Sequence, residues 1–194
     1  ISKNTRDGCE ACPAGRYRRY DNYEVCSECD PGHYNDIQAQ TNCFACHKGR
    51  YSLESGRKQS CLICPSGFYS TTASLFCDRC GSGTYNPGEE QFLCFDCPPG
   101  YYTPLGTSIG YTECIVCEAG NFQYESGQNT CNECPKGMYQ VEEAQVKCES
   151  CLERSPMEYQ DESGMSSCKV CEINSVAIYQ ERVPFPPHFY TKLA

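Results

Sequence analysis

Cysteine supplies nearly all of the reactive side chains in this 194-residue sequence, which contains 20 of them. All of them fall into CxxC pairs, and the first cysteines of successive pairs lie 16 to 20 residues apart. The pairs are Cys9 and Cys12, Cys26 and Cys29, Cys43 and Cys46, Cys61 and Cys64, Cys77 and Cys80, Cys94 and Cys97, Cys114 and Cys117, Cys131 and Cys134, Cys148 and Cys151, and Cys168 and Cys171. Such pairs can form structural disulfides, bind zinc, carry haem or exchange disulfides as a redox centre.

One pair is followed by histidine and reads CFACH, the pattern by which c-type haem is attached. His47, however, occupies the position after a second cysteine where other repeats carry Pro13 and Pro65. HKGRY at 47–51 aligns with PAGRY at 13–17, so Cys43 and Cys46 are one pair of a series. The alignment favours a structural pair over a haem site.

Zinc binding and redox chemistry are also possible for CxxC pairs. The spacing of the pairs is close to that of four-cysteine zinc sites. Several second cysteines are followed by proline, which has no N–H group to direct at a zinc-bound sulfur. Five such zinc centres would also add −10 to a formal charge that is already −9. A redox CxxC requires a helix start that lowers a thiol pKa, and these repeats predict almost no helix. We therefore expect structural disulfides, with no cofactor and no metal.

Composition and charge exclude several classes of function. Cysteine at about one residue in ten marks a disulfide scaffold of a secreted protein. With 16 basic and 25 acidic residues, the chain lacks the basic face that nucleic-acid binding requires. We expect no nucleic-acid partner and no membrane span in this segment, because no apolar run approaches about 20 residues. The start at Ile1 lacks a signal-peptide pattern, so we expect a mature or excised segment.

A second pattern accompanies the cysteines and gives the repeat CxxCxxGx(Y/F). The glycine predicts a backbone position with positive φ, or one pressed against a neighbouring repeat where a Cβ would clash. The aromatic ring is expected to pack on the adjacent disulfide and so supply buried area. These repeat-packing residues are Gly15, Tyr17, Gly32, Tyr34, Gly49, Tyr51, Gly67, Tyr69, Gly83, Tyr85, Gly100, Tyr102, Gly120, Phe122, Gly137 and Tyr139.

The repeat predicts a small disulfide-rich fold, an extended rod of ten CxxC units of about 17 residues. Each unit is expected to form a short β-hairpin that touches only its neighbours, with little helix and no large hydrophobic core. The best helix candidate is one turn near 142–147. We divide the chain into an N-terminal lead-in (1–8), regular repeats (9–151), a variant repeat (152–171) and a tail (172–194). In the variant repeats Arg154 and Asn174 replace the glycine.

The tail is rich in proline and aromatic residues and contains no further cysteine. Its stretch SVAIYQERV, at 175–183, has the β-branched and aromatic character of a strand that could add to a sheet edge. We predict that the tail has a role in assembly and that its apolar side chains make the contacts: Val176, Ile178, Tyr179, Phe185 and Phe189.

The segments CPAGRY (12–17), CPSGFY (64–69), CPPGYY (97–102) and CPKGMY (134–139) resemble the cysteine-rich ephrin-receptor-like repeats. Those repeats occur in tandem in large extracellular proteins, and tumour-necrosis-factor-receptor modules share their CxxGxY element. The resemblance implies an extracellular or cell-surface location. It implies no particular ligand.

Two patterns of disulfide connectivity are compatible with the sequence. The ephrin-receptor-like resemblance implies pairing of first with first and second with second cysteines, as in Cys9 to Cys26 and Cys12 to Cys29. The receptor modules imply a ladder in which each second cysteine joins the next first cysteine, as in Cys12 to Cys26. Spacing does not choose between them. We favour the first pairing because it uses all 20 cysteines.

Two functions follow from these patterns, and neither is enzymatic, since the sequence has three histidines and every cysteine is assigned to a disulfide. The favoured function is an extracellular structural protein, a rod-like spacer or a subunit of a surface filament. Its partners would be other copies of itself or flanking domains of a longer chain. The alternative is a receptor-type ectodomain that binds a protein ligand through repeat loops and exposed tyrosines. We favour the first because the uniform period gives no repeat a distinctive exposed patch.

Overall fold

The computed structural model describes residues 10–20, 25–106 and 110–172. These residues form two-residue strands and one short helix, α1 (Cys151–Arg154). The strands are β1 (Arg16–Tyr17), β2 (Ser27–Glu28), β3 (His33–Tyr34), β4 (Phe44–Ala45), β5 (Arg50–Tyr51), β6 (Leu62–Ile63), β7 (Phe68–Tyr69), β8 (Asp78–Arg79), β9 (Thr84–Tyr85), β10 (Phe95–Asp96), β11 (Tyr101–Tyr102), β12 (Ile115–Val116), β13 (Asn121–Phe122), β14 (Asn132–Glu133), β15 (Met138–Tyr139), β16 (Glu149–Ser150), β17 (Glu158–Tyr159) and β18 (Lys169–Val170).

Every hairpin is built from the same two parts of the repeat. Each odd-numbered strand ends in the aromatic residue of the repeat or its equivalent, and each even-numbered strand is the xx of the next CxxC pair. The two pair antiparallel into a two-stranded sheet, as in β3 and β4, where Tyr34 lies opposite Phe44. A tight turn precedes the first strand of a hairpin. In the turn before β11, the Tyr101 N–H donates to the Pro98 oxygen at 3.1 Å, and Gly100 has φ +85°. A type II turn requires positive φ at that position, which favours glycine.

The disulfides form a ladder. Each second cysteine joins the first cysteine of the following pair, at a sequence separation of 13 to 17: Cys12–Cys26, Cys29–Cys43, Cys46–Cys61, Cys64–Cys77, Cys80–Cys94, Cys97–Cys114, Cys117–Cys131, Cys134–Cys148 and Cys151–Cys168. The favoured pairing of first with first and second with second cysteines is therefore wrong. Cys171 forms no disulfide with a described residue, and Cys9 lies outside the described residues.

The hairpin geometry gives the reason for the ladder. In each repeat the chain leaves a second cysteine, turns, forms an odd-numbered strand, loops, and returns as the strand that follows the next first cysteine. Those two cysteines therefore flank one hairpin, and their Cα atoms lie 5.6 to 5.8 Å apart. That separation is ideal for a disulfide. A loop of about 15 residues closed in this way gains roughly 3 kcal/mol in the chain-entropy model.

The described core consists of sulfur and polar groups. Its buried apolar residues are 11 cysteines and Tyr139. The disulfide-rich fold without a large hydrophobic core is confirmed, as are the short hairpins and the scarcity of helix. Among the residues that the structure describes, no helix is long and apolar enough to cross a membrane.

The chain divides into two compact bodies. The N-terminal body comprises Ile1–Cys97 and Thr103–Cys114, and the C-terminal body comprises Pro98–Tyr102 and Ile115–Ala194. We number the repeats 1 to 10 from the first cysteine of each pair, so that repeat 4 spans 61–76 and repeat 8 spans 131–147.

Within the N-terminal body, backbone hydrogen bonds join each repeat to the next in a recurring pattern. Between repeats 2 and 3, the Gly32 N–H donates to the Ser52 oxygen at 2.7 Å, and the Cys46 N–H donates to the Gly32 oxygen at 2.8 Å. The Gly56 N–H donates to the Cys29 oxygen at 2.8 Å. Neighbouring repeats are thus fastened by main chain as well as by disulfides.

The C-terminal body repeats the same pattern. Between repeats 7 and 8, the Gly120 N–H donates to the Gln140 oxygen and the Cys134 N–H donates to the Gly120 oxygen, both at 2.8 Å. The Ala144 N–H donates to the Cys117 oxygen at 2.9 Å. Because these bonds use backbone groups, they tolerate the sequence differences between repeats.

The ninth repeat differs from the sequence expectation in two ways. The predicted helical turn near 142–147 is wrong, because that loop lacks helix and the turn of helix is α1, at Cys151–Arg154. Arg154 does not occupy the glycine position. Met157 does, since its oxygen accepts from the Cys171 N–H at 2.7 Å as the Gly15 oxygen accepts from the Cys29 N–H. The helical turn absorbs the three-residue insertion, which explains why Tyr159 comes three residues late.

Candidate functional site

The repeat glycines are packing positions with two separate constraints. All eight have φ between +76° and +85°. A Cβ built on Gly49 would lie 2.1 Å from the Glu90 oxygen, and one on Gly100 would lie 2.2 Å from the Ala144 oxygen. Each of these contacts reaches the loop two repeats further on. The expectation that a repeat touches only its neighbours is therefore wrong.

The aromatic residues of the repeats lie half-buried at the hairpins. Tyr34 and Phe44 face each other across one hairpin with ring centroids 5.9 Å apart, and Tyr85 and Phe95 repeat the arrangement at 6.1 Å. Tyr139 is buried, and its hydroxyl donates to Glu149 Oε2 at 2.9 Å. This hydrogen bond raises the pKa of Tyr139, because it stabilises the neutral phenol beside a carboxylate.

A set of buried polar side chains was missed by the sequence reasoning. The residue directly after the aromatic is at most 5 % exposed in eight successive repeats: Asn35, Ser52, Ser70, Asn86, Thr103, Gln123, Gln140 and Gln160. Asn86 shows their role: its Nδ2 donates to the Phe68 oxygen at 2.7 Å, and its Oδ1 accepts from the Gly88 N–H at 3.1 Å. The sequence carries a signal for them, since the position holds Asn, Ser, Thr or Gln throughout these repeats.

Side-chain length divides these polar residues into two types. Four of the five short ones reach back to the preceding repeat, as Asn35 does to the Arg16 oxygen at 2.8 Å and Ser70 to the Arg50 oxygen at 3.0 Å. The exception is Ser52, whose hydroxyl donates to the Glu54 oxygen of its own repeat at 3.3 Å. The glutamines instead close the loop of their own repeat. Gln140 Nε2, for example, donates to the Lys147 oxygen at 2.8 Å. The N-terminal body therefore has side-chain ties between repeats, whereas the glutamine repeats of the C-terminal body are tied internally.

The structure decides between disulfides and metal or haem binding for the cysteines. Cys43 and Cys46 belong to two different disulfides, so neither has a thiol to offer to haem or zinc. Among the described residues, no group of three His, Cys, Asp or Glu side chains could hold a metal ion. His47 lines a cavity of about 280 Å³, whose wall also includes Ser60 and the ion pair between Arg50 and Glu90. The hydrogen bond from Arg50 lowers the pKa of Glu90.

Repeat 4 carries an exposed apolar patch, which we name the repeat-4 patch and define as Leu62, Ile63, Leu75 and Phe76. These side chains are 46 %, 42 %, 41 % and 60 % exposed. Leu62 lies opposite Tyr51 in the β5–β6 hairpin, and Tyr51 forms a parallel bridge with Ser74 on its other side.

A backbone bridge and a disulfide join the two chain segments that carry the repeat-4 patch. Leu75 and Phe76 follow Ser74 directly. Phe76 then precedes Cys77, whose disulfide partner Cys64 follows Ile63, and the two Cα atoms lie 5.7 Å apart. The bridge and the disulfide therefore hold the two segments that carry these apolar residues side by side.

The repeat-4 patch is distinctive. Its four positions are the xx of a CxxC pair and the two residues before the next cysteine. In repeats 1 to 9, repeat 4 alone has large apolar residues at all four, and the others have at most two. The expectation that no repeat has a distinctive exposed patch is therefore wrong. The five residues of the predicted assembly tail lie outside the described residues, so their assembly role stays a prediction.

Comparison with known proteins identifies the repeat class. Residues 106–140 and 124–158 match the family model described as "Tyrosine-protein kinase ephrin type A/B receptor-like". The repeats of this region are ephrin-receptor-like. The resemblance inferred from the CxxCPxGxY motifs is thus confirmed here. The structure adds that the cysteines of these repeats are paired as a ladder.

Two curated relatives resemble a longer part of the chain. Both are named "Signal peptide, CUB and EGF-like domain-containing protein 3", one from Homo sapiens at 29 % identity and one from Mus musculus at 30 %. The matched 108 residues are 53 % of this chain, and they span about 11 % of the length of each relative. The similarity therefore concerns a segment of these proteins.

The disulfide ladder and these similarities fix the compartment. Disulfides at this density form and persist where the environment is oxidising. The chain is an extracellular or cell-surface cysteine-rich domain.

Proposed function

We propose that this chain is an extracellular structural element, a spacer or a subunit of a surface filament whose repeats set length and stiffness. The observation that carries the proposal is the recurring fastening of each repeat to the next by backbone hydrogen bonds and a disulfide within each body. Such fastening resists bending at the joint between repeats and is independent of most side chains, as a spacer requires.

The partners in this proposal are other copies of the chain or flanking domains of a longer chain. We also propose that the chain is not an enzyme. The described cysteines up to Cys168 are committed to disulfides, so none of them offers a thiolate nucleophile.

A receptor-type binding domain is the second candidate, and the repeat-4 patch favours it. Monomeric proteins rarely expose contiguous apolar patches without a use for them. A spacer in a longer chain does not need the patch, whereas a filament subunit or a receptor would bury it.

Electron microscopy of the purified oxidised chain, with and without 172–194, tests the filament form of the proposal. Filaments that disappear on truncation support assembly through the tail. Particles that stay monodisperse in both preparations contradict it. The spacer form predicts that particles of uniform length remain in both preparations, and a chain with no fixed end-to-end distance contradicts it.

A further inference from the structure

We propose that the repeat-4 patch is the docking site for 175–189 of a second copy of this chain. The inference rests on the proposed filament function and names the surface that would receive the tail.

The patch offers both an apolar surface and a strand edge. β6 pairs on one side with β5, and β5 in turn bridges to Ser74, so β6 stands at the edge of this small sheet. An extended segment can add to such an edge through main-chain hydrogen bonds, while alternate side chains enter the apolar surface. Leu62 and Phe76 are large enough to anchor it.

The tail sequence has the complementary chemistry. Val176 and Ile178 alternate with period two, which places both on one face of an extended strand. Phe185 adds a further large apolar side chain.

Charge adds to this complementarity. The tail, 172–194, contains two basic residues, Arg182 and Lys192, and two acidic residues, so it is formally neutral, whereas the whole chain has a formal charge of −9. An exposed carboxylate, that of Asp78, lies two residues beyond Phe76 on β8. A basic side chain that follows the apolar stretch of the tail can pair with it.

Size argues against a symmetric contact of patch on patch. A standard interface buries about 1,600 Å² in total, and four side chains per copy supply far less. A tail that crosses the patch adds its own backbone and side chains to the contact. Because tail and patch are different surfaces, the contact is heterologous and can propagate from copy to copy.

A peptide-binding experiment tests the docking. A fluorescent peptide of 173–194 is titrated into the oxidised full chain, and its anisotropy gives the dissociation constant. We expect the double substitution Leu62→Ser, Phe76→Ser to weaken binding at least about tenfold, because it removes the two largest anchors of the patch. The matched control is Leu105→Ser, which changes a leucine of the same body that is 72 % exposed. It should leave the constant within about twofold.

A second variant protects the test from misfolding. Ile178→Ser with Phe185→Ser in the peptide alone should weaken binding equally, and the folded chain is then unchanged. Equal binding of the native peptide to wild-type chain and patch variant would overturn the proposal, as would equal binding of native and substituted peptides.

Mixed isotopes identify the copy that supplies the tail. Zero-length cross-linking of Lys192 to Asp78 in a mixture of heavy and light chains should give heavy–light products. Cross-links confined to single chains would overturn docking between copies. Filaments that persist in the patch variant would refute this site and leave the filament function standing. Patch-dependent peptide binding without filaments would leave the site standing and refute the filament.

Discussion

Alanine substitutions at four glycines of the N-terminal body separate the two reasons for which the repeat needs glycine. Gly67 has φ +81°, and its built Cβ lies 2.6 Å from the Gly110 oxygen. Gly106 has φ +90° with no atom within 4 Å of its Cβ. Gly110 lacks positive φ, but its Cβ lies 1.8 Å from the Gly67 oxygen. Gly81 has neither constraint.

These geometries predict an order of stability. Gly81→Ala should stabilise by about 0.4–1 kcal/mol, because alanine has less freedom in the unfolded chain. Gly106→Ala should have the same stabilising effect on the unfolded chain, but alanine in a left-handed backbone conformation costs about 1–2 kcal/mol. The net effect should therefore be slightly destabilising. Gly110→Ala must displace backbone and should cost about 1–3 kcal/mol. Gly67→Ala has both constraints and should cost about 2–5 kcal/mol.

Native-state hydrogen exchange with the disulfides intact measures these differences where they arise. The Cys80 amide donates to the Gly67 oxygen at 2.9 Å, and the Gly67 amide donates to the Asn86 oxygen at 2.8 Å. Protection at these amides should fall most in Gly67→Ala and least in Gly81→Ala. If Gly110→Ala matches Gly81→Ala, the close approach between repeats 4 and 6 is refuted. If Gly106→Ala is as damaging as Gly67→Ala, the steric reasoning is refuted.

Three further predictions concern polar groups. Asn86→Ala leaves the Phe68 oxygen without this bond and should cost about 1–3 kcal/mol, with faster exchange in both repeats 4 and 5. Gln140→Ala should speed exchange in repeat 8 alone, and equal spread in both variants would contradict the two types of tie. Tyr139 has a raised pKa, so its stabilising contribution is present below about pH 10, the unfolded value, and is lost as pH rises through the higher folded value. Unfolding by rapid guanidinium titration should therefore show wild type losing stability relative to Tyr139→Phe above about pH 10, and a constant difference from pH 9 to 11 would contradict this.

The repeat architecture was readable from the sequence because its determinants are local. A CxxC pair, a glycine that a type II turn requires and a ring two residues later recur with a fixed period, so each repeat reports the same hairpin. The match of 106–158 to ephrin-receptor-like repeats agrees with that reading. Localisation followed from the same cysteines, since their number implies an oxidising compartment.

The remaining features depend on contacts that the period does not encode. Spacing could not decide the disulfide pairing, because both patterns close loops of similar length. The hairpin decides it by bringing Cys64 and Cys77 together. The sequence placed the helical turn near 142–147, whereas it lies at Cys151–Arg154. A three-residue insertion forms this turn and puts Met157 in the glycine position. The repeat-4 patch was missed because its residues are adjacent only through the Tyr51–Ser74 bridge and the disulfide.

The disulfide ladder is the central claim, and one cleavage tests it most directly. Arg79 lies between Cys77 and Cys80, and in the ladder no disulfide among the described cysteines spans that position. Trypsin digestion of the unreduced, denatured chain should therefore leave the peptide 59–79 unlinked to any peptide that begins at Cys80. It should be found joined to the Cys46 peptide through Cys61. A disulfide between Cys77 and Cys94, recovered by mass spectrometry across the Arg79 cut, would contradict the ladder.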